Sequence, residues 1–217
     1  MHRRVAVLAA LTLTVITGCA GGEDGPVGSV APSASGQVAA GPPWHDEIAP
    51  AAAGGTVGGP GSGCELPVTF DVVKGRTAKP VSEDGLGQEL AKITGATPRC
   101  EIDGRPDSAG FLRVWTAAQP TVEPRPALEA YLAGAGQLSS KVTDAQYRTV
   151  RAGTFDAVEV SWIATSENLD EKQREWALAV RAGEQTVLLT ANESILAEIE
   201  DVVPGYRLAA RTLAPIT

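Results

Sequence analysis

Hydrophobic positions fall into three regimes along the chain. Residues 5–17 form an apolar run without a charge. Residues 20–63 show neither helical nor strand period. From residue 64 onward apolar positions recur at the spacings of ordinary secondary structure. In that last part, residues 66–73 (LPVTFDVV) are rich in β-branched and aromatic side chains and predict a strand. Leu86, Leu90 and Ile93 stand at helical spacing, and Gly95 supplies a stop. Residues 99–102 and 110–116 predict a strand pair joined through Asp103-Gly104-Arg105-Pro106, where Asp-Gly favours a tight turn.

Pro124 and Pro126 are tolerated only in a first helical turn, so a helix starts there, with Leu128, Tyr131 and Leu132 as its stripe. Residues 146–151 predict a strand, and Gly153 turns it into residues 155–164. In that second strand Val158, Val160 and Trp162 alternate with Glu159 and Ser161, which predicts one buried and one wet face. Trp176, Leu178 and Val180 alternate again, Gly183-Glu184 turns, and residues 186–190 return as a hairpin. A closing helix is predicted from Ile195, Ile199, Val202, Tyr206, Ala209 and Leu213, capped by Asn192 or Ser194 and kinked or split at Pro204. Strands and helices in this order give an α+β fold: an antiparallel sheet packed with helices, an α/β/α-type sandwich.

The first apolar run is too short to span a bilayer, which takes ~20 apolar residues. With His2, Arg3 and Arg4 ahead of it, it has the form of a signal peptide. It ends in Ile16-Thr17-Gly18-Cys19, which resembles the lipobox of bacterial lipoproteins. That resemblance implies cleavage after residue 18, a lipid such as palmitate on Cys19, and a place on the outer face of the plasma membrane. Each buried methylene contributes ~0.8 kcal/mol, so two or three chains anchor stably.

Three segments follow. Residues 1–18 are the signal peptide, 19–63 the lipidated Cys and a Gly/Ala/Pro/Ser tether, and 64–217 one globular domain of about 150 residues. Stretched out, the tether would reach ~145 Å. One island interrupts it: Trp44 and His45, within residues 43–48, form a candidate docking motif, because a Trp is uncommon in such a segment.

The formal net charge of -8 argues against nucleic acid as a partner. Of three cysteines, Cys64 and Cys100 remain once Cys19 carries lipid. An even pair in an exported chain reads as a disulfide, contributing ~4 kcal/mol by chain entropy. A metal site has no support, since His2 leaves with the signal peptide and His45 is alone. The same shortage of histidine removes Ser-His-Asp and Cys-His triads from the domain, and no phosphate loop, GxGxxG or GxSxG occurs. No catalytic residue and no cofactor are therefore expected. The acids Glu167, Asp170, Glu171, Glu198, Glu200 and Asp201 read as solvated surface, and Trp115, Trp162 and Trp176 as core.

Leu66-Pro67-Val68-Thr69-Phe70, Cys100-Glu101-Ile102-Asp103-Gly104, Gly110-Phe111-Leu112-Arg113-Val114-Trp115 and the closing hairpin with its helix resemble the small actinobacterial lipoproteins with a PsbP/Mog1-like (LpqN-like) domain. The resemblance covers residue 64 to the end. It implies an antiparallel sheet between helices and a role by binding. The expected function is that of a membrane-anchored extracytoplasmic lipoprotein, not an enzyme, which binds or assists an unidentified envelope protein. A carrier of a lipid or other small apolar ligand is the alternative, and an atypical hydrolase a second.

Overall fold

Two neighbouring strands set the architecture. In the computed structural model, which describes residues 42–82, 84–103, 111–138, 140–166, 171–192 and 199–216, they form a hairpin buried on both faces. These are β8 (Lys172–Ala182) and β9 (Gln185–Asn192). Successive side chains of a strand point to opposite faces. Trp176, Leu178 and Val180 therefore join Val187 and Leu189 in one core, while Ala177, Ala179 and Leu188 join the other.

Around this hairpin run β3 (Thr77–Pro80), β4 (Ala96–Asp103), β5 (Phe111–Ala117), β6 (Ser140–Ala152) and β7 (Phe155–Ser166). The seven-stranded sheet has the order β3-β4-β5-β9-β8-β7-β6, antiparallel throughout. A second sheet of three strands joins β1 (Ala53–Val57), β2 (Val68–Val73) and β10 (Ala214–Pro215) in the order β1-β2-β10. The fold is α+β, as expected.

Helices cover both faces. α1 (Leu86–Thr94) ends at Gly95, whose left-handed φ of 65° closes the helix where a side chain would be strained. α2 (Pro124–Ala135) begins on its prolines and lays Leu128, Tyr131 and Leu132 against Trp115 and Trp162. On the other face α3 (Ile199–Thr212) packs Val202, Val203, Tyr206 and Ala209 with Phe70 of β2 and Trp176. Cys64 and Cys100 are disulfide-bonded, which ties the approach to β2 to the main sheet. Trp115, Trp162 and Trp176 are all core.

Several expectations are corrected. The tether was expected to run to residue 63, yet residues 42–63 pack on the domain and include β1, paired with β2. The glycines that read as a spacer allow close approach: a Cβ on Gly54 would lie 2.1 Å from Lys74 Cα, and one on Gly58 1.9 Å from the Val68 carbonyl oxygen. The predicted wet face of β7 is covered, and Glu159 and Ser161 are buried. Helix α3 runs unbroken through Pro204, which withholds an N–H only from the carbonyl of exposed Glu200. Short β1, β3 and β10 were not anticipated. Residues 1–18, Cys19, the turn at 104–106, and the expected helix residues Ser194 and Ile195 lie outside the described residues, while Asn192 closes β9.

Candidate functional site

Residues 42–50 cross the α3 face of the main sheet as a strap. Trp176 Nε1 donates to the Pro43 carbonyl at 2.9 Å, and the Ile48 N–H returns to the His45 carbonyl at 3.0 Å. That turn, with His45 at a φ of 53°, presents Asp46. Arg148 of β6 grips the Asp46 carboxylate with both terminal nitrogens, at 2.6 and 2.8 Å. Arg207 of α3 donates a third bond to it at 2.7 Å and another to the Trp44 carbonyl at 2.5 Å. The Arg148 guanidinium also lies 4.2 Å from the centroid of the Trp44 ring, a cation–π contact.

Beneath the strap is Glu159 of β7. Arg148 Nε donates to one of its oxygens at 2.6 Å, and the Tyr206 hydroxyl to the other at 2.9 Å. The side chains of Asp46, Arg148, Glu159 and Arg207 are 17%, 17%, 5% and 18% exposed, so the network is largely withdrawn from water. The bond from Arg148 holds the Asp46 carboxyl below the usual range, against the cost of burial. Burial works against the Arg148 charge, but its two carboxylates outweigh that and raise its pKa. Burial and neighbouring Glu159 push the Tyr206 hydroxyl well up. Such a network holds protons in place: Tyr206 stays a donor and Asp46 an acceptor.

A cleft of about 610 Å³ opens beside the strap. Its walls include Ile48, Ala49 and Pro50 on one side and Ala210 and Arg211 on the other, with Arg151 at the β6–β7 turn. The cleft carries charges of both signs.

A second polar cluster lies on the α2 face. Tyr131 meets Trp115 and Trp162 edge-on, at centroid distances of 5.2 and 6.5 Å. Trp115 Nε1 donates to Thr190 Oγ1 at 2.9 Å, whereas the buried Trp162 Nε1 has no partner in the described residues. Glu175 pairs across the sheet with Trp162, and burial pushes its carboxyl up to about 7 despite the opposing charge of Arg113. Burial and Glu175 push the Tyr131 hydroxyl up to about 12.

The structure thus places Trp44 on its own domain, over Arg148, and His45 edge-on to Trp176 at 6.2 Å. His45 Nδ1 is 3.2 Å from Glu47. No group of three or more His, Cys, Asp and Glu side chains converges as a metal site among the described residues. Sequence reasoning missed Arg148, Glu159, Tyr206 and Arg207. The one available signal was Glu159 inside a strand whose neighbours are apolar on both sides.

Residues 34–213 match a family described as "uncharacterised lipoprotein". The chain belongs to that family. Among solved structures, this lipoprotein is similar to LpqN, described as involved in cell envelope biogenesis of Mycobacterium tuberculosis. The TM-score is 0.44 and the identity 11%, over 74% of this chain and 90% of that one. It is also similar to the cyanobacterial PsbP (CyanoP) from Synechocystis sp. PCC 6803, with a TM-score of 0.42, 9% identity, and 59% and 75% of the two chains covered. No curated protein matches it.

Proposed function

We propose that this lipoprotein is anchored through acylated Cys19 on the outer face of the plasma membrane and acts without catalysis, binding or assisting another protein of the cell envelope. The carrying observation is family membership over residues 34–213, together with the basic head and apolar run that end at Cys19. The ionic site supports a binding role. Its Glu159 and Asp46 carboxylates are each committed to arginine or tyrosine donors, so neither is poised as a base or nucleophile. The cleft, lined by Asp46, Glu47, Arg151, Glu159, Arg207 and Arg211, is a poor home for an apolar ligand.

Two measurements test this reading. Mass spectrometry of the amino-terminal peptide is expected to find a diacylglyceryl group on Cys19, and Cys19→Ala to abolish it. A photo-crosslinking residue placed at Glu47 or Ala210, beside the cleft, is expected to trap one discrete protein in intact cells. The same residue at Lys92 on α1 serves as the control. Crosslinks equal at all three positions, or absent from all, would sink the partner-binding role.

A further inference from the structure

The cleft beside the strap has an uneven balance of committed and uncommitted charge. Two of its acids, Asp46 and Glu159, are spent. Asp46 takes three hydrogen bonds from Arg148 and Arg207, and Glu159 is held by Arg148 and Tyr206. Glu47 sits 3.2 Å from His45. The cations at the mouth are held less firmly. Arg211, exposed in the last turn of α3, has no acidic partner among the described residues. The helix dipole favours a cation there but uses none of its N–H donors. Arg151 donates to Asp156 at 2.7 Å and to the Thr154 carbonyl at 2.6 Å, but the ion pair's side chains are 61% and 89% exposed, and pairs that open to water contribute little. On a chain of net charge -8, two exposed guanidinium groups therefore line a cavity in which Asp46 and Glu159 are already paired with arginine.

We propose that this cleft binds a phosphoryl group, with Arg211 and Arg151 supplying charge and hydrogen bonds at its mouth. Two guanidinium groups match a doubly charged phosphate monoester better than a single carboxylate, because each fork can bond two oxygens. Behind them Arg207, fixed by Asp46 and the Trp44 carbonyl, belongs to a network whose two arginines balance its two carboxylates, so the wall does not repel an anion. A cavity of about 610 Å³ has room for more than the phosphate itself. Ile48, Ala49, Pro50 and Ala210 offer apolar contact to the uncharged remainder of the ligand. The phosphate monoester can belong to a soluble metabolite or to a lipid headgroup. This inference concerns the same cleft as the protein partner proposed above, and the titration uses the chain without that partner, so failure of either reading is seen separately.

The test is a titration of the full chain in detergent with inorganic phosphate at constant ionic strength, followed by 31P line broadening. Saturable binding is expected. Arg211→Ala should weaken it by about tenfold or more, Arg211→Lys should recover part of the loss, and Lys92→Ala should change nothing. Because Arg211 is exposed, its loss leaves the fold intact, and an unchanged melting temperature verifies that. A flat titration up to about 50 mM, or binding indifferent to Arg211→Ala, overturns the site. Dihexanoyl phosphatidic acid and glycerol 3-phosphate then separate the sources. Arg211-dependent preference for the lipid by about tenfold points to a headgroup, and equal affinity points to a soluble ester.

Discussion

The two faces of the main sheet are closed by different chemistry. On the α2 side, Trp115, Tyr131, Trp162 and Leu188 meet in an aromatic and aliphatic core. On the α3 side an apolar core is also present, but its margin is finished by a disulfide and by the Asp46–Arg148–Glu159–Arg207 network. Helix α2 follows β5 after residues 118–123 and is held by its apolar stripe. The strap is short and of its residues Ile48 alone packs on the core, so charge-assisted hydrogen bonds do what burial cannot. A segment that buries little on the core is therefore held when its polar groups find partners that themselves need partners.

The sharpest way to break the contrast is Trp162→Ala. It should cost about 3–5 kcal/mol, with a fall in the denaturation midpoint at unchanged slope, because it empties the aromatic core. On the other face Arg148→Met should cost about 2–3 kcal/mol, since it leaves buried Glu159 with Tyr206 alone and Asp46 with Arg207 alone. Proteolysis within residues 42–50 should then speed up, while α2 stays protected from hydrogen exchange. If both variants expose the strap equally, the faces are not independent.

Acidity separates the faces as well. Glu175 on the α2 side has its carboxyl raised to about 7, so folding favours its protonated form. Its contribution is fully present below the unfolded value near 4.5 and is lost as pH rises through about 7. Glu175→Gln should remove that slope and gain about 1–3 kcal/mol at pH 8, as read from urea midpoints against pH. Asp46 behaves in the opposite sense. Its depressed pKa contributes stability above the unfolded value of 3.8, lost as pH falls through the folded one. Asp46→Asn should have the smallest effect, about 1 kcal/mol, and should flatten only the acid limb of the curve.

Much of the fold is legible in the chain. Strands β7 and β8 carry apolar residues at alternate positions, α2 starts on its two prolines, and Gly95 stops α1 where expected. What escapes the eye has a physical reason. Strand β1 is Ala-Gly-Gly-Thr-Val, whose small residues signal a spacer in isolation and close contact only beside Lys74 and Val68. Glu159 alternates with apolar residues, as a solvent-facing residue does, and its burial depends on Arg148 in the neighbouring strand and Tyr206 in a distant helix. A salt-bridged site assembled over 102 and 161 positions of chain leaves no local pattern.

The strap also decides how a pull on the chain enters the domain. For a molecule held at Cys19, tension arrives at residue 42 and meets the Pro43–Trp176 bond first, then Trp44, then the Asp46 clasp. The bonds are loaded one after another, as in peeling, and not together, as in shear. Peeling residues 42–52 would lengthen the line by about 35 Å before any strand of the main sheet bears load. Under the anchoring proposed above, the clasp would serve as a stored length of slack, and in force spectroscopy it would read as one early step that Asp46→Asn makes easier.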